Sequence, residues 1–215
     1  MLAVRQNGFN LQFVPPKFKT KELCRLALYN ELCGFEFIPE EFLTEEWCYI
    51  GAKAKNHYVF DILKEIPEKF RTERVCFEPV KRNGREIYFV PETLKTKELC
   101  LTAIKAVSAA YKDIVDHIPA DYSKDHDFCV QAVKQNPYVI KCVPDKIRTM
   151  EFCLDAVKND GRCLRNIPKK QKTEEVCFYA VKNTWGASEY VPEEMRKKVF
   201  GLAHNYNEYP SGNEK

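Results

Sequence analysis

Cysteine is the residue type with the widest chemistry in this chain, and the sequence contains ten of them among 215 residues. Cysteines can form disulfides, ligate zinc, act as nucleophiles or pack as small apolar side chains. Three of them are Cys33, Cys142 and Cys163. The other seven share one recurring position, occupied by Cys24, Cys48, Cys76, Cys100, Cys129, Cys153 and Cys177. The secondary structure around this recurring position therefore determines which of these roles its cysteines can take.

The recurring position belongs to an internal repeat. A β-branched residue followed by proline occurs eight times, and successive prolines are 24 to 28 residues apart. A cysteine follows nine residues after the proline, or ten in the case of Cys129, and a threonine or Asp125 stands four residues before the cysteine. The pairs are Val14-Pro15, Ile38-Pro39, Ile66-Pro67, Val90-Pro91, Ile118-Pro119, Val143-Pro144, Ile167-Pro168 and Val191-Pro192. A fixed period of this length is typical of helical repeat arrays.

Each recurring residue has a physical role in a helix. Threonine and aspartate are good N-caps, and the acidic residues that follow them complement the helix dipole. The residue before the cysteine, the cysteine itself, the small residue three later and the apolar residue four later share one face. A single helix pair cannot bury such a face, so it needs stacked neighbours. The pattern predicts an all-α fold, an α-solenoid of about seven tandem two-helix repeats of 24–28 residues.

Glycines and prolines predict where the helices end. Gly8, Gly34, Gly84, Gly161 and Gly186 come just after the first helix of their repeats, where a left-handed C-cap is expected. A second, shorter helix then runs to the β-branched residue before the proline, because that residue is pushed toward extended geometry. Pro79 lies inside a first helix and is predicted to kink or weaken it.

The proline positions set the predicted boundaries of a single solenoid domain over residues 1–203. A half-repeat covers 1–14 and a partial cap covers 192–203. The seven full repeats cover 15–38, 39–66, 67–90, 91–118, 119–143, 144–167 and 168–191. The polar residues 204–215 are predicted to form a disordered tail.

We interpret the recurring cysteines as buried thiols that pack between helices. Stacked helices lie about 8–10 Å apart, whereas disulfides need Cα separations of about 4.4–6.8 Å. No paired spacing suggests zinc, and a catalytic thiol needs a polar niche. Cys33, Cys142 and Cys163 lie near second helices and are expected to be partly exposed. Many free thiols favour the cytoplasm or another reducing intracellular compartment.

The remaining motifs do not point to catalysis. The histidines, His57, His117, His126 and His204, have no metal-pair spacing. Asp125, His126 and Asp127 are adjacent, but acids are expected at a helix start. The sequence has no glycine-rich phosphate loop and no nucleophile elbow. It predicts no enzyme activity, no metal and no cofactor.

A lysine column is the outward-facing feature that repeats. It lies five residues after the recurring cysteine and consists of Lys53, Lys81, Lys105, Lys134, Lys158 and Lys182. On a helical wheel this position is about 140° from the cysteine, off the apolar face. Such lysines could form an anion-binding stripe for a phosphate backbone or an acidic protein. They could equally complement the helix C-terminus and hydrate the surface, which the small net charge of +3 favours.

The repeats share the consensus Thr-x-Glu-x-Cys-x-x-Ala-Val-Lys-Asn, followed by Gly-x-x-Leu-x-x-Ile-Pro, and the best matches to it are Thr149 to Pro168 and Thr173 to Pro192. This consensus resembles the repeats of the domain-of-unknown-function 4116 family, and the likeness extends over nearly the whole chain. The resemblance implies helical repeats of the kind found in larger proteins, with no assigned activity.

The composition bounds the function further. Apolar stretches are shorter than the roughly 18 residues of a membrane span, and residues 1–16 lack the apolar core of a secretory signal. We therefore expect no membrane insertion. The sequence predicts a non-catalytic helical-repeat scaffold whose partner is a protein, with binding of nucleic acid or another polyanion through the lysine column as the alternative.

Overall fold

A computed structural model gives the structure of residues 2–29, 35–53, 61–107 and 112–205. Within these residues the regular secondary structure is entirely helical, which confirms the all-α prediction. The chain divides into two compact units, residues 1–117 and 118–215.

The first unit alternates α-helices with short 3-10 helices. Its α-helices are α1 (Leu2–Gln6), α2 (Lys21–Tyr29), α3 (Glu45–Lys53), α4 (Ile62–Glu65), α5 (Glu73–Arg82) and α6 (Lys97–Ala106). Its 3-10 helices are Gly8–Phe13, Pro16–Phe18, Phe35–Phe37, Glu40–Phe42, Glu68–Phe70, Gly84–Phe89, Glu92–Leu94 and Lys112–His117.

The second unit has the same alternation. Its α-helices are α7 (Ala120–Ser123), α8 (His126–Gln135), α9 (Met150–Asn159), α10 (Glu174–Asn183) and α11 (Glu193–Asn205). Its 3-10 helices are Pro137–Cys142, Gly161–Asn166, Lys169–Gln171 and Trp185–Tyr190. The predicted second helix of each repeat is therefore mostly a six-residue 3-10 helix, a form that suits short pieces.

The predicted apolar face of the first helix is confirmed at the seven long α-helices that carry the recurring cysteine, which are α2, α3, α5, α6, α8, α9 and α10. In α9 the buried residues are Phe152, Cys153, Ala156 and Val157, and in α10 they are Val176, Cys177, Ala180 and Val181. The same four positions are buried in α2, α3, α5, α6 and α8. A cysteine and a small residue at the centre of each face let the next helix approach closely.

The predicted N-caps are present as hydrogen bonds. The Oγ1 atoms of Thr96, Thr149 and Thr173 accept from the amide three residues later at 3.2 to 3.3 Å. Asp125 does the same through Oδ1 at 2.9 Å. Thr72 differs, because its hydroxyl donates instead to Glu45 Oε1 at 2.8 Å. These caps satisfy amides that the first turn of a helix leaves without partners.

The prediction that glycines form left-handed C-caps is wrong. Gly84, Gly161 and Gly186 have no positive φ, Gly8 is the first residue of a 3-10 helix, and Gly34 lies outside the described residues. Helices α5, α6, α8, α9 and α10 instead end in an extended residue such as Asp160, with a φ of −150°. Asp160 then caps the next 3-10 helix, because its Oδ1 accepts from the amide of Arg162 at 2.9 Å.

Close approach of the neighbouring helix explains Gly84 and Gly161. A Cβ atom on Gly161 would overlap the carbonyl oxygen of Ala180 and lie 2.9 Å from Cβ of Thr184. Gly84 stands in the same relation to the carbonyl oxygen of Ala103 in α6. Each of these glycines lets a 3-10 helix rest directly on the backbone of the following α-helix.

The sequence predicted that Pro79 would kink or weaken its helix and that residues 204–215 would form a disordered tail. Helix α5 continues through Pro79, which is buried at the small-residue position of the face, and the amide of Asn83 donates to the Pro79 carbonyl at 2.8 Å. Helix α11 extends to Asn205, so it includes the first two residues of the predicted tail. Residues 206–215 of that tail lie outside the described part of the chain.

The glycine contacts give a stability prediction. We expect Gly161→Ala to lower the free energy of unfolding by about 1–3 kcal/mol, because overpacking displaces backbone atoms that cannot rotate away. Gly186→Ala is the matched control, since a Cβ there meets no atom within 4 Å. We expect that control to be neutral or to gain up to about 1 kcal/mol. Urea unfolding of both variants measures the difference, and equal effects would contradict the close-approach explanation.

Candidate binding surface

The six lysines of the predicted column are all exposed, and each lies in the last turn of its α-helix. Lys53, Lys81 and Lys105 belong to the first unit, and the other three belong to the second. Two of the six lie beside aromatic rings. The Nζ atom of Lys158 is 4.8 Å from the ring centroid of Tyr179, and that of Lys53 is 5.8 Å from the centroid of Tyr49. Lysines placed in this way fit both alternatives: they can complement the helix C-terminus and hydrate the surface, or they can bind an anion.

The cysteines are buried thiols, as the repeat predicts. Of the nine that the structure describes, eight are buried and Cys142 is half-buried. Burial raises the pKa of Cys48, Cys76 and Cys100 to about 12, so these thiols stay protonated near neutral pH. A protonated, buried thiol is a poor nucleophile and a poor metal ligand.

The three cysteines outside the recurring position behave differently from one another. Cys142 is half-buried, as expected. Cys163 is fully buried, and burial raises its pKa to about 12, so its expected exposure is wrong. The reason is that the 3-10 helix Gly161–Asn166 turns Cys163 and Leu164 together into the core. Cys33 lies outside the described residues.

A groove of about 210 Å³ lies between α8 and α9 in the second unit. Its floor consists of Val130 and Val133 from α8 and of Phe152 and Ala156 from α9. Val133, Phe152 and Ala156 belong to the buried faces that hold these helices together. The floor is therefore a continuation of the apolar core to the surface.

The rim of this groove is polar. Lys134 stands on the α8 side, while Glu151, Asp155 and Asn159 stand on the α9 side. All four are exposed. The ring of His126 also borders the groove and meets the ring of Phe152 edge-on at 5.9 Å. An apolar floor with a few polar groups around it is the common form of a binding site.

Side chains occupy the equivalent positions at two other helix junctions. Between α9 and α10, the ring of Tyr179 lies under Lys158 and Asn183 Nδ2 donates to the Lys158 carbonyl at 2.8 Å. In the repeat, Asp155 is the equivalent of Tyr179, and Asn159 is the equivalent of Asn183. Asp155 is too short and too polar to cover the floor in the way that the tyrosine ring does.

The junction between α3 and α5 is covered by arginines. The guanidinium of Arg74 lies 3.8 Å from the ring centroid of Tyr49 and pairs with Glu46 at 2.8 Å. Arg82 donates to the carbonyls of Ala52 and Lys53 at the end of α3. The open groove between α8 and α9 thus reflects the residues present at that junction and is not a general property of the repeat.

Sequence reasoning missed a set of half-buried basic residues just before the helix caps. Lys19 Nζ donates to the carbonyl of Phe37 at 2.7 Å, Arg71 Nη1 to that of Phe89 at 3.0 Å, and Lys172 Nζ to that of Tyr190 at 3.0 Å. Each bond reaches the end of the following 3-10 helix, whose last carbonyls need partners. A basic residue stands immediately before the cap in six of the seven repeats, and this signal was available in the sequence.

Glu86 is a buried carboxylate that sequence reasoning also missed. It is 2% exposed, and its two oxygens accept from the amides of Ile62 and Leu63 at 2.8 and 2.9 Å. It thereby caps α4, whose own N-cap residue, Asp61, makes no such bond through its side chain. Burial raises the pKa of Glu86 to about 7, although the two amide hydrogen bonds act in the opposite direction.

The histidines form no metal site among the described residues, which also contain no cluster of three or more His, Cys, Asp or Glu side chains able to hold a metal ion. The ring of His117 stacks on that of Tyr88 at 4.0 Å. His57 and the side chain of His204 lie outside the described part. None of the helices within the described ranges is both long and apolar enough to cross a membrane.

Comparison with known proteins supports the family resemblance. The family model named Domain of unknown function (DUF4116) matches residues 1–43 and 149–196. The second of these ranges contains the two best-preserved repeats. No curated protein and no solved structure matches the chain.

Glu86 gives a prediction for pH dependence. Its pKa is about 7 when folded against 4.5 ordinarily, so the folded state holds a proton that the unfolded state has released between those values. The resulting stabilisation is full below pH 4.5 and is lost as the pH rises through 7. We expect the unfolding free energy to fall by about 1–3 kcal/mol from pH 5 to pH 8 through this group.

Urea unfolding at several pH values tests this expectation. Glu86→Gln should flatten the profile, because the amide cannot ionise. Glu98→Gln, an exposed control in α6, should leave the profile unchanged. A Glu86→Gln profile as steep as that of the parent chain would show that Glu86 does not produce the pH dependence.

Proposed function

We propose that the chain is an α-solenoid of about seven two-helix repeats that binds another protein and catalyses no reaction. The observation that carries this proposal is the contrast between the two sides of each long helix. The buried side repeats the same four positions from helix to helix. The side facing solvent keeps the lysine column but varies at its other positions, as protein-binding solenoids do when each repeat contributes a different part of one surface.

The residue after the recurring cysteine illustrates the change. It is exposed in α2 and half-buried in the other long helices, and it reads Arg25, Tyr49, Phe77, Leu101, Val130, Leu154 and Phe178. Aromatic and arginine residues of this kind are enriched at protein interfaces. The burial of the thiols and their raised pKa values support a role without covalent chemistry.

Photo-cross-linking in the native host cell tests this proposal. A photo-reactive amino acid replaces Leu101 in α6 or Gln131 in α8, and the control position is the exposed Arg165 in the 3-10 helix Gly161–Asn166. We expect discrete adducts at positions 101 and 131 that protease removes and nuclease leaves intact. Equal labelling at position 165, or no protein adduct at either helix position, would count against a protein-binding solenoid.

Polyanion binding through the lysine column is the second candidate, and the exposure of all six lysines favours it. If it is correct, single-stranded RNA or duplex DNA should bind at low salt with a steep salt dependence. Lys134→Glu together with Lys158→Glu should abolish this binding or reduce the salt slope by about two. In the cross-linking experiment, this function would give adducts that nuclease removes.

Fluorescence anisotropy with labelled oligonucleotides measures the effect of the double substitution. Lys146→Glu together with Lys197→Glu changes the net charge equally at exposed lysines outside the column. The column explains binding only if this control pair has a clearly smaller effect. Equal losses for the two pairs would instead indicate a general charge effect.

A further inference from the structure

The groove between α8 and α9 has the size and chemistry of a docking site for one side chain. We propose that it receives a large apolar side chain from a segment of the partner protein, and that a lysine or arginine next to this anchor pairs with Asp155 or Glu151. This inference rests on the proposed protein-binding function and specifies the chemistry of the segment that binds.

The size of the groove favours a side chain over a free small molecule. Sites that bury a drug-sized ligand or cofactor have volumes of about 300–1,000 Å³, whereas this groove measures about 210 Å³. Interfaces between proteins commonly depend on a few large side chains that enter pockets of the partner. A single aromatic or long aliphatic anchor is an occupant of this kind.

The floor determines that the anchor is apolar. Val133, Phe152 and Ala156 contribute to it and are 2%, 5% and 6% exposed, and the half-buried Val130 lies beside them. An apolar anchor gains free energy in proportion to the area removed from water, at about 25 cal/mol per Å². A polar anchor would lose its water and meet no hydrogen-bonding group on the floor.

The rim determines the charge beside the anchor. Asp155 and Glu151 stand on the α9 wall against the single Lys134 on the α8 wall. Both carboxylates are exposed, and neither forms an ion pair with any residue in the described ranges. The equivalent of Glu151 in α3 is Glu46, which is already paired with Arg74. The rim therefore favours a cationic neighbour and disfavours an acidic one.

The neighbouring junction shows what a filled groove looks like. Between α9 and α10, Tyr179 occupies the position of Asp155, and Asn183 bonds across to α9. The side chain of Asn159, the equivalent of Asn183, makes no hydrogen bond within the described residues. Asp155→Tyr should therefore fill the groove, because it introduces the residue that the adjacent repeat already has at the equivalent position.

Selection from a random peptide library displayed on phage, with the whole immobilised chain as bait, tests the inference. We expect the selected peptides to share a leucine, methionine, phenylalanine or tryptophan next to lysine or arginine. A synthetic peptide of the selected sequence should bind in fluorescence anisotropy and shift the amide NMR signals of α8 and α9. Replacing its anchor with alanine should weaken binding at least tenfold, as for a central interface residue.

Substitutions in the chain locate the binding site. We expect Asp155→Tyr to weaken peptide binding at least tenfold by filling the groove, and Glu151→Lys to weaken it about as much by reversing a rim charge. Glu175→Lys is the matched control, because Glu175 is the exposed equivalent of Glu151 at the junction that Tyr179 covers. This control should bind as the parent does. Circular dichroism confirms that each variant is folded.

Several results would overturn the inference. The first is that the selected peptides lack an apolar residue next to a basic one. The second is that they bind the Asp155→Tyr and Glu151→Lys variants as tightly as they bind the parent chain. The third is that the selection favours acidic peptides. Peptides that bind elsewhere on the chain would reject the groove and leave the protein-binding proposal standing. The cross-linking experiment decides that broader proposal separately, since positions 101 and 131 do not line the groove.

Discussion

The contact on which the packing depends is the approach of the 3-10 helices Gly84–Phe89 and Gly161–Asn166 to the backbone of α6 and α10. At Gly161 this approach leaves no room for a Cβ atom against the Ala180 carbonyl, and Gly84 meets Ala103 in the same way. Such proximity requires a small residue on both sides, which explains why alanine recurs three residues after the cysteine. The cysteine adds a compact, apolar side chain at the centre of the same interface.

Polar groups complete this interface where helix ends would otherwise lack partners. Threonine and aspartate side chains cap the long helices, and asparagine or aspartate caps the 3-10 helices that follow. Half-buried basic residues such as Lys172 donate hydrogen bonds to carbonyls of the next 3-10 helix. Glu86 accepts hydrogen bonds from the amides at the start of α4, although it lies 24 residues after Ile62 in the chain. These hydrogen bonds stabilise the short helices; most of them form within one repeat, whereas those of Glu86 reach the preceding repeat.

The proposed function rests on the difference between the buried and the outer residues of each repeat. Residues that touch the next repeat are restricted to a few types, whereas residues on the outer face are free to differ. Where the outer residue is Tyr179 it covers the junction, and where it is Asp155 the apolar interior reaches the surface between α8 and α9. A binding groove thus arises from one residue choice within an unchanged frame, which allows a repeat array to acquire a site without altering its packing.

Much of the fold could be predicted because it depends on local chemistry that repeats. The period, the threonine caps, the buried cysteine face and the exposure of the lysine column all follow from residues within one helix, where 3.6-residue periodicity relates sequence to face. The glycine conformation, by contrast, was predicted wrongly. In sequence, a glycine after a helix indicates a left-handed cap, whereas here the requirement comes from the Ala180 carbonyl of another helix. The burial of Cys163 has a similar origin, since it depends on how a 3-10 helix turns toward the core.

The groove and the Glu86 cap could not be predicted from the sequence, for a related physical reason. Each depends on which side chains meet across two helices, and those distances exist only after the repeats have packed. The sequence by itself determined the helical repeat, its caps and the residues of its buried face. Tertiary structure decided the close backbone contacts, the partners of the buried Glu86 and the groove between α8 and α9, where an apolar floor lies under a polar rim.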